Sequence, residues 1–185
     1  MKRLGGVLLV VLMLCGCGKE NTLIERGMKL RDRLLSSSCS FEVEITADYG
    51  DKLHTFSLAC QGNPKGDLTF TVLSPESISE ITGEISEEGG KLTFGDTALH
   101  FELLADGQLS PVSAPWILLK TLRSGYLTSA GMEGELLRLT IQDSYASDAL
   151  QLDIWLDGQD LPMRAEVLYA DRRILTMDVK NFQIS

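Results

Sequence analysis

The chain has 185 residues with 17 Lys and Arg against 26 Asp and Glu, a formal net charge of −9. Such an acidic balance offers no basic stripe for a phosphate backbone, so nucleic acid is excluded as a partner. Anionic headgroups would repel it as well, so any membrane contact must come from something other than a charged face.

That something is legible at the N-terminus. Lys2 and Arg3 are followed by an uncharged, largely apolar run from Gly5 to Leu14. The run is too short to cross a hydrocarbon core of about 30 Å but has the length of a signal-peptide core. Leu14-Cys15-Gly16-Cys17 resembles a lipobox, an aliphatic residue and two small residues before a cysteine. The expectation is cleavage after residue 16, diacylglycerol on Cys17, and a lipid-anchored protein on the extracytoplasmic face of the cell membrane. Removing residues 1–16 leaves 169 residues and, without Lys2 and Arg3, a charge of −11. That length suits one domain with a real core.

Residues 17–21 read as the lipidated cysteine and a polar tether, and residues 22–185 as a single domain. Thr22-Leu-Ile-Glu25 reads as a capping box opening a helix. Leu23, Ile24, Met28, Leu30, Leu34 and Leu35 then recur at helical spacing as far as Ser36 to Ser38.

The period then changes to two. Cys39, Phe41, Val43, Ile45 and Ala47 alternate with polar residues, as do His54, Phe56, Leu58 and Cys60, which predicts a β-hairpin with one buried face. With Tyr49-Gly50 as a two-residue turn, Val43 faces Phe56, Phe41 faces Leu58 and Cys39 faces Cys60. Cys15 and Cys17 belong to the signal and lipobox, so Cys39 and Cys60 are left as a pair in an oxidising compartment. Opposite each other at a non-hydrogen-bonded position, they predict a disulfide.

Asn63-Pro-Lys-Gly66 is a turn, and Leu68 to Val72 a third strand ended by Ser74-Pro75. Shorter strands are predicted at 81–85, 91–94 and 98–104. Pro115 to Ser124 predicts a helix that is apolar around most of its circumference through Trp116, Ile117, Leu118, Leu119 and Leu122, with Gly125 as C-cap. Strands return at 137–141, 150–156, 163–169 and 174–184. No repeat or linker divides the chain.

Catalytic and metal chemistry find little support. The sequence holds no glycine-rich phosphate loop, Cys-x-x-Cys, His-Glu-x-x-His or Gly-x-Ser-x-Gly. His100 falls on a polar face. His54 falls on the inward face beside Ile45, with no nucleophile–base–orienter set around it. Cys39, Cys60 and His54 lack a fourth ligand for zinc. Neither an enzyme, a cofactor nor a metal is expected. Trp155 shares a face with Gln151, Asp153 and Asp157, and packing under a helix or loop is preferred there to an exposed docking role.

In order, the elements are a helix, meander strands, a central apolar helix, further strands and a closing hairpin. That hairpin is carried by Leu161-Pro-Met-Arg-Ala-Glu-Val-Leu-Tyr169 and Arg173-Ile-Leu-Thr-Met-Asp-Val-Lys-Asn-Phe182. Behind a lipobox, this resembles the lipoprotein carriers and lipid-binding lipoproteins with the LolA/LolB-like fold. The resemblance implies an α+β, mostly β fold: an open, curved antiparallel half-barrel covered on its concave side by the N-terminal and central helices. It implies an apolar ligand, a lipid or acyl chain, held without catalysis between sheet and helices. The residues expected to line that cavity are Phe41, Val43, Phe56, Leu58, Phe70, Leu99, Phe101, Trp116, Leu119 and Leu122. The alternative is an adaptor or regulator that binds an envelope protein partner through the same fold.

Overall fold

The computed structural model describes residues 17–48, 50, 52–101, 104–105, 108–146 and 149–185. The expected signal peptide lies outside them. The chain opens with α1 (Cys17–Ser36). Residues 18–21 are helical and continuous with the rest of α1, and Thr22 sits in the second turn, not at the N-cap.

Eleven strands form one open antiparallel sheet. Strands β1 (Cys39–Asp48), β2 (Leu53–Gly62), β3 (Leu68–Ser74), β4 (Thr82–Ser86), β5 (Gly89–Phe94) and β6 (Thr97–Phe101) step outward from its middle. Strands β9 (Tyr126–Glu133), β10 (Leu136–Gln142), β11 (Gln151–Leu156), β12 (Pro162–Tyr169) and β13 (Arg172–Ile184) step back to it from the far edge. The first and last strands meet at the centre, giving the order β6-β5-β4-β3-β2-β1-β13-β12-β11-β10-β9. Between β6 and β9 the chain must cross the whole sheet. On the way it forms β7 (Leu104–Ala105) and β8 (Gln108–Leu109), paired only with each other, and α2 (Ala114–Ser124).

Bulges bend this sheet. One extra residue in β13 opposite β1 falls at Asn181, whose φ of 55° is left-handed, and further register shifts interrupt β2–β3, β9–β10, β11–β12 and β12–β13. Each adds local twist and curvature.

The β1–β2 hairpin corrects the predicted register. Asp48 pairs with Leu53, so residues 49–52 form a four-residue connection, in which the Gly50 N–H donates to Asp48 Oδ1 at 2.7 Å. The shift of two residues preserves which face each side chain takes. It changes every partner: Ile45 faces Phe56, Val43 faces Leu58, Phe41 faces Cys60, and Cys39 faces Gly62. Cys39 and Cys60 are thus diagonal neighbours, and diagonal positions stand about 7–8 Å apart, beyond the reach of unstrained disulfide geometry. Both are free thiols, buried in the core. His54 keeps its face but pairs with Ala47 instead of Ile45, and it is exposed near the start of β2.

Both helices lie on the sheet's inner face. On α1 the buried positions are Gly27, Leu30 and Leu34, while Met28 and Leu35, expected in the stripe, face out. Gly27 sets that rotation. A Cβ there would stand 3.0 Å from Leu139 and 3.5 Å from Leu127, so the helix makes its closest approach at its smallest residue. Helix α2 matches its predicted span and is buried on nearly all sides, including Thr121 and Arg123. Gly125 follows it, but with φ of −70° instead of the left-handed C-cap. A Cβ at Gly125 would approach Ile141 to 2.6 Å and the Thr121 carbonyl to 2.7 Å, so close packing is what requires glycine there.

The two helices hold each other by their C-terminal carbonyls. Arg31 of α1 donates from Nε to the Leu122 carbonyl at 2.8 Å and from Nη2 to the Gly125 carbonyl at 2.6 Å. Arg123 of α2 donates from Nε to the Leu34 carbonyl at 3.2 Å. Each guanidinium satisfies carbonyls that a helix end leaves unpaired and complements the negative end of the dipole.

Candidate functional site

The sheet's inner face carries cross-strand rows of side chains. One runs Phe41, Cys60, Phe70, Gly83, Leu92, Leu99 from β1 to β6, and the next runs Cys39, Gly62, Leu68, Ile85, Gly90, Phe101. At the centre these rows are sealed. Phe41, Val43, Leu58, Phe70, Trp116, Leu119 and Leu122, all expected to line a cavity, are buried against one another. Phe41 also stacks on Phe182 with ring centroids 5.1 Å apart. Trp116 is fixed in place by its indole N–H, which donates to the Gly66 carbonyl at 2.9 Å. Gly62 makes room for Leu119, since a Cβ would meet its Cδ1 at 2.5 Å.

Toward β6 the cover ends. Phe101 is half-buried and Leu99 is 62 % exposed, while Phe56, also half-buried, lies apart from them on β2 opposite Ile45. Beside Leu99 and Phe101 lie the half-buried Leu92 and Phe94, 57 % exposed. Glycines and aromatics interlock there: the Phe70 ring lies over Gly83 and the Phe101 ring over Gly90, each filling the place of a Cβ. The uncovered surface is therefore the inner face of β5 and β6, an apolar wing continuous with the core. Sequence reasoning found Leu99 and Phe101 but passed over Leu92 and Phe94. The signal was present, because all four alternate inward across the Gly95-Asp96 turn.

Under α2, Cys39 packs near Arg123, with Cys60 a diagonal neighbour of Cys39. Burial pushes the Cys60 thiol well above its ordinary value, with a smaller push from Cys39. Burial also raises the Cys39 thiol, opposed by the Arg123 charge and the Gly62 N–H. Burial lowers the Arg123 guanidinium, opposed by Cys39 and Asp67. Two protonated thiols beneath a helix form a poor nucleophilic site. Among the described residues no group of three or more His, Cys, Asp and Glu could hold a metal ion.

The outer face differs between the two halves of the sheet. On β10–β12 the polar groups engage one another. Arg138 donates to the buried Asp153 at 2.7 Å, and the Thr140 hydroxyl donates to the same carboxylate at 2.7 Å. The Asp153 hydrogen bond raises the Arg138 guanidinium further. Trp155, packed as expected, is covered by guanidinium groups instead of a helix or loop. Arg138 and Arg164 each lie 5.2 Å from its ring, and its indole donates to Glu133 at 3.0 Å. On β1–β5 the outer face instead forms an open trough of about 560 Å³. A second open cleft, about 760 Å³, runs along the β2–β3 and β4–β5 turns to Phe101.

No family model and no curated protein matches the chain. Among solved structures it is similar to an uncharacterized conserved protein from Thermus thermophilus, at 12 % identity and a TM-score of 0.49 over 89 % of this chain and 86 % of that one. It is similar to a LolA superfamily protein from Nitrosomonas europaea, at 8 % identity and a TM-score of 0.46 over 86 % and 93 %. It is similar also to the Mycobacterium tuberculosis lipoprotein LppX, at 11 % identity and a TM-score of 0.41 over 87 % and 93 %. The open eleven-stranded antiparallel sheet with two helices on one face is the arrangement expected from the order of elements.

Proposed function

We propose that this chain is a membrane-anchored, extracytoplasmic lipoprotein, held by lipid on Cys17, whose single domain binds an apolar ligand such as an acyl chain without catalysing its conversion. One observation carries the reading: the apolar inner face continues past the helices into the exposed wing of Leu92, Phe94, Leu99 and Phe101. A contiguous apolar patch open to solvent supports a binding role. On this reading the ligand lies on the wing beside α2, because Trp116, Leu119 and Leu122 fill the space beneath the helix.

Mass spectrometry of the organic extract of the detergent-free domain, residues 18–185, tests the ligand. A bound lipid is expected from the wild type and none from Leu99→Glu; equal lipid in both removes the wing from the site. Labelled fatty acid tests the anchor, with incorporation into the wild type and none into Cys17→Ser.

The filled core favours a second reading, an adaptor for an envelope protein. The reciprocal hold of Arg31 and Arg123 keeps α2 from acting as a loose gate. A photo-crosslinker at position 99 in living cells separates the two: a lipid adduct supports the first, a discrete protein adduct the second.

A further inference from the structure

We propose that the outward flank of α1 lies along the bilayer surface and fixes the orientation of the domain on the membrane. The proposal rests on the reading of Cys17 as the lipid anchor. Helix α1 is unbroken from Cys17 to Ser36. Its buried positions Gly27, Leu30 and Leu34 define the side that packs on the sheet. Away from that side, Met28 is 39 % exposed, Leu35 is 50 % exposed and Ile24 is half-buried. Positions 24, 28 and 35 follow at steps of four and seven, so a helix of 3.6 residues per turn keeps them within about 40° of one another. Position 17, seven residues before Ile24, falls on the same line.

That alignment separates the flank from scattered surface residues. Single exposed apolar side chains are ordinary and need no partner. Here three of them continue, over about 27 Å of helix, a line that starts at the anchoring position. Arg31 lies between Met28 and Leu35 on this line but does not charge it. Its guanidinium turns instead to the Leu122 and Gly125 carbonyls, at 2.8 and 2.6 Å. The exposed Lys29 and Arg33 stand about 120° and 160° around the helix from the line.

Attachment and charge select the occupant. Lipid on Cys17 holds this helix at the bilayer from its first residue, so the surface that meets the flank is the membrane. Burying the three side chains at the headgroup boundary adds apolar contact to that of the anchor. The helix carries five Lys and Arg against three Asp and Glu, in a chain of net charge −9. It can therefore approach a headgroup layer that the acidic remainder of the chain avoids. The exposed line lies about 110° around the helix from the buried one, so the sheet stands beside the helix, not between it and the membrane.

The test uses the full chain, extracted from bacterial membranes and reconstituted into phosphatidylcholine vesicles, with a photo-crosslinking residue placed in turn at positions 28, 35, 29 and 33. Lipid adducts at 28 and 35 are expected to exceed those at 29 and 33 at least fivefold. All four positions are exposed, so access to solvent alone does not produce that difference. Met28→Glu is expected to lower the lipid adduct at 35 at least threefold, with the circular dichroism spectrum unchanged. Equal yields at the four positions, no effect of Met28→Glu, or adducts to a second copy of the chain in place of lipid overturn the proposal. Intact mass separates its failure from that of the anchor. A chain with lipid on Cys17 and no such pattern overturns the orientation alone, whereas a chain without lipid on Cys17 overturns both.

Discussion

The β10–β13 half of the sheet and the β4–β6 wing are built from similar strands and put to different use. In the first, inner residues such as Leu139, Ile154 and Met177 are buried under helices, and the outer face is tied together around Trp155 and Asp153. In the second, the strands are shorter, glycines replace side chains at Gly83 and Gly90, and apolar groups stay in solvent. A strand satisfied on both faces contributes to holding the domain together. A strand left open on both is available for contact, and it adds little to global stability. The difference gives the β10–β13 half the larger share in holding the domain together.

The largest expected effect is a direct contrast between equivalent leucines. Leu139→Ala empties a position that is closed by Gly27 and is expected to cost about 2–5 kcal/mol. Leu99→Ala is expected to change stability by no more than about 0.5 kcal/mol. Urea unfolding of the two variants measures both; similar losses would erase the distinction between the halves.

Next in size is the hold between the helices. Arg31→Ala removes two charge-assisted bonds to the Leu122 and Gly125 carbonyls and is expected to cost roughly 1.5–3 kcal/mol. Arg123→Ala acts on the same junction from the other side, so the double variant should lose less than the sum of the singles. A double-mutant cycle with no coupling, against about 0.5–3 kcal/mol for neighbours, would mean that the two guanidinium groups act independently.

Within the wing, Gly83 is expected to matter because an aromatic ring lies over it. Gly83→Ala drives a methyl into the Phe70 ring and is expected to cost about 1–3 kcal/mol. In a Phe70→Leu background that cost should shrink. An undiminished cost would point to the backbone, not to the ring over it.

Periodicity made most of this fold legible. The helix at Pro115 to Ser124, the inward faces of β1, β2, β3, β10 and β11, and the closing hairpin are where alternation placed them. Strand β9 was missed because Tyr-Leu-Thr-Ser-Ala-Gly-Met-Glu, exposed along most of an edge, carries no alternating apolar pattern. The site was only half legible. Alternation says which face a residue takes, and does so for Phe41 and Leu99 alike. It does not say where the helices stop. That depends on Gly27 and Gly125, whose closeness to Leu139 and Ile141 exists only in three dimensions. The histidine and tryptophan readings divide in the same way: alternation gave the face of His54 but not that the cover stops short of it, whereas Trp155 was packed whichever partner covered it.

The smallest expected effect is none at all, and it tests the turn. A two-residue connection would pair Cys39 with Cys60, and a bond there would contribute about 2–4 kcal/mol. The observed four-residue connection sets Cys39 against Gly62 and Cys60 against Phe41, leaving two buried thiols. Face assignment cannot distinguish the registers, because a shift of two keeps every residue on its side. Covalent state can. The domain spanning residues 18–185, unfolded in urea with and without reductant, is expected to give one and the same midpoint. Its intact mass should not rise on reduction, and alkylation after unfolding without reductant should add two groups. A gain of two hydrogens together with a reductant-sensitive midpoint would show the shorter turn to be the one in solution, and would move Phe56 from Ile45 to Val43.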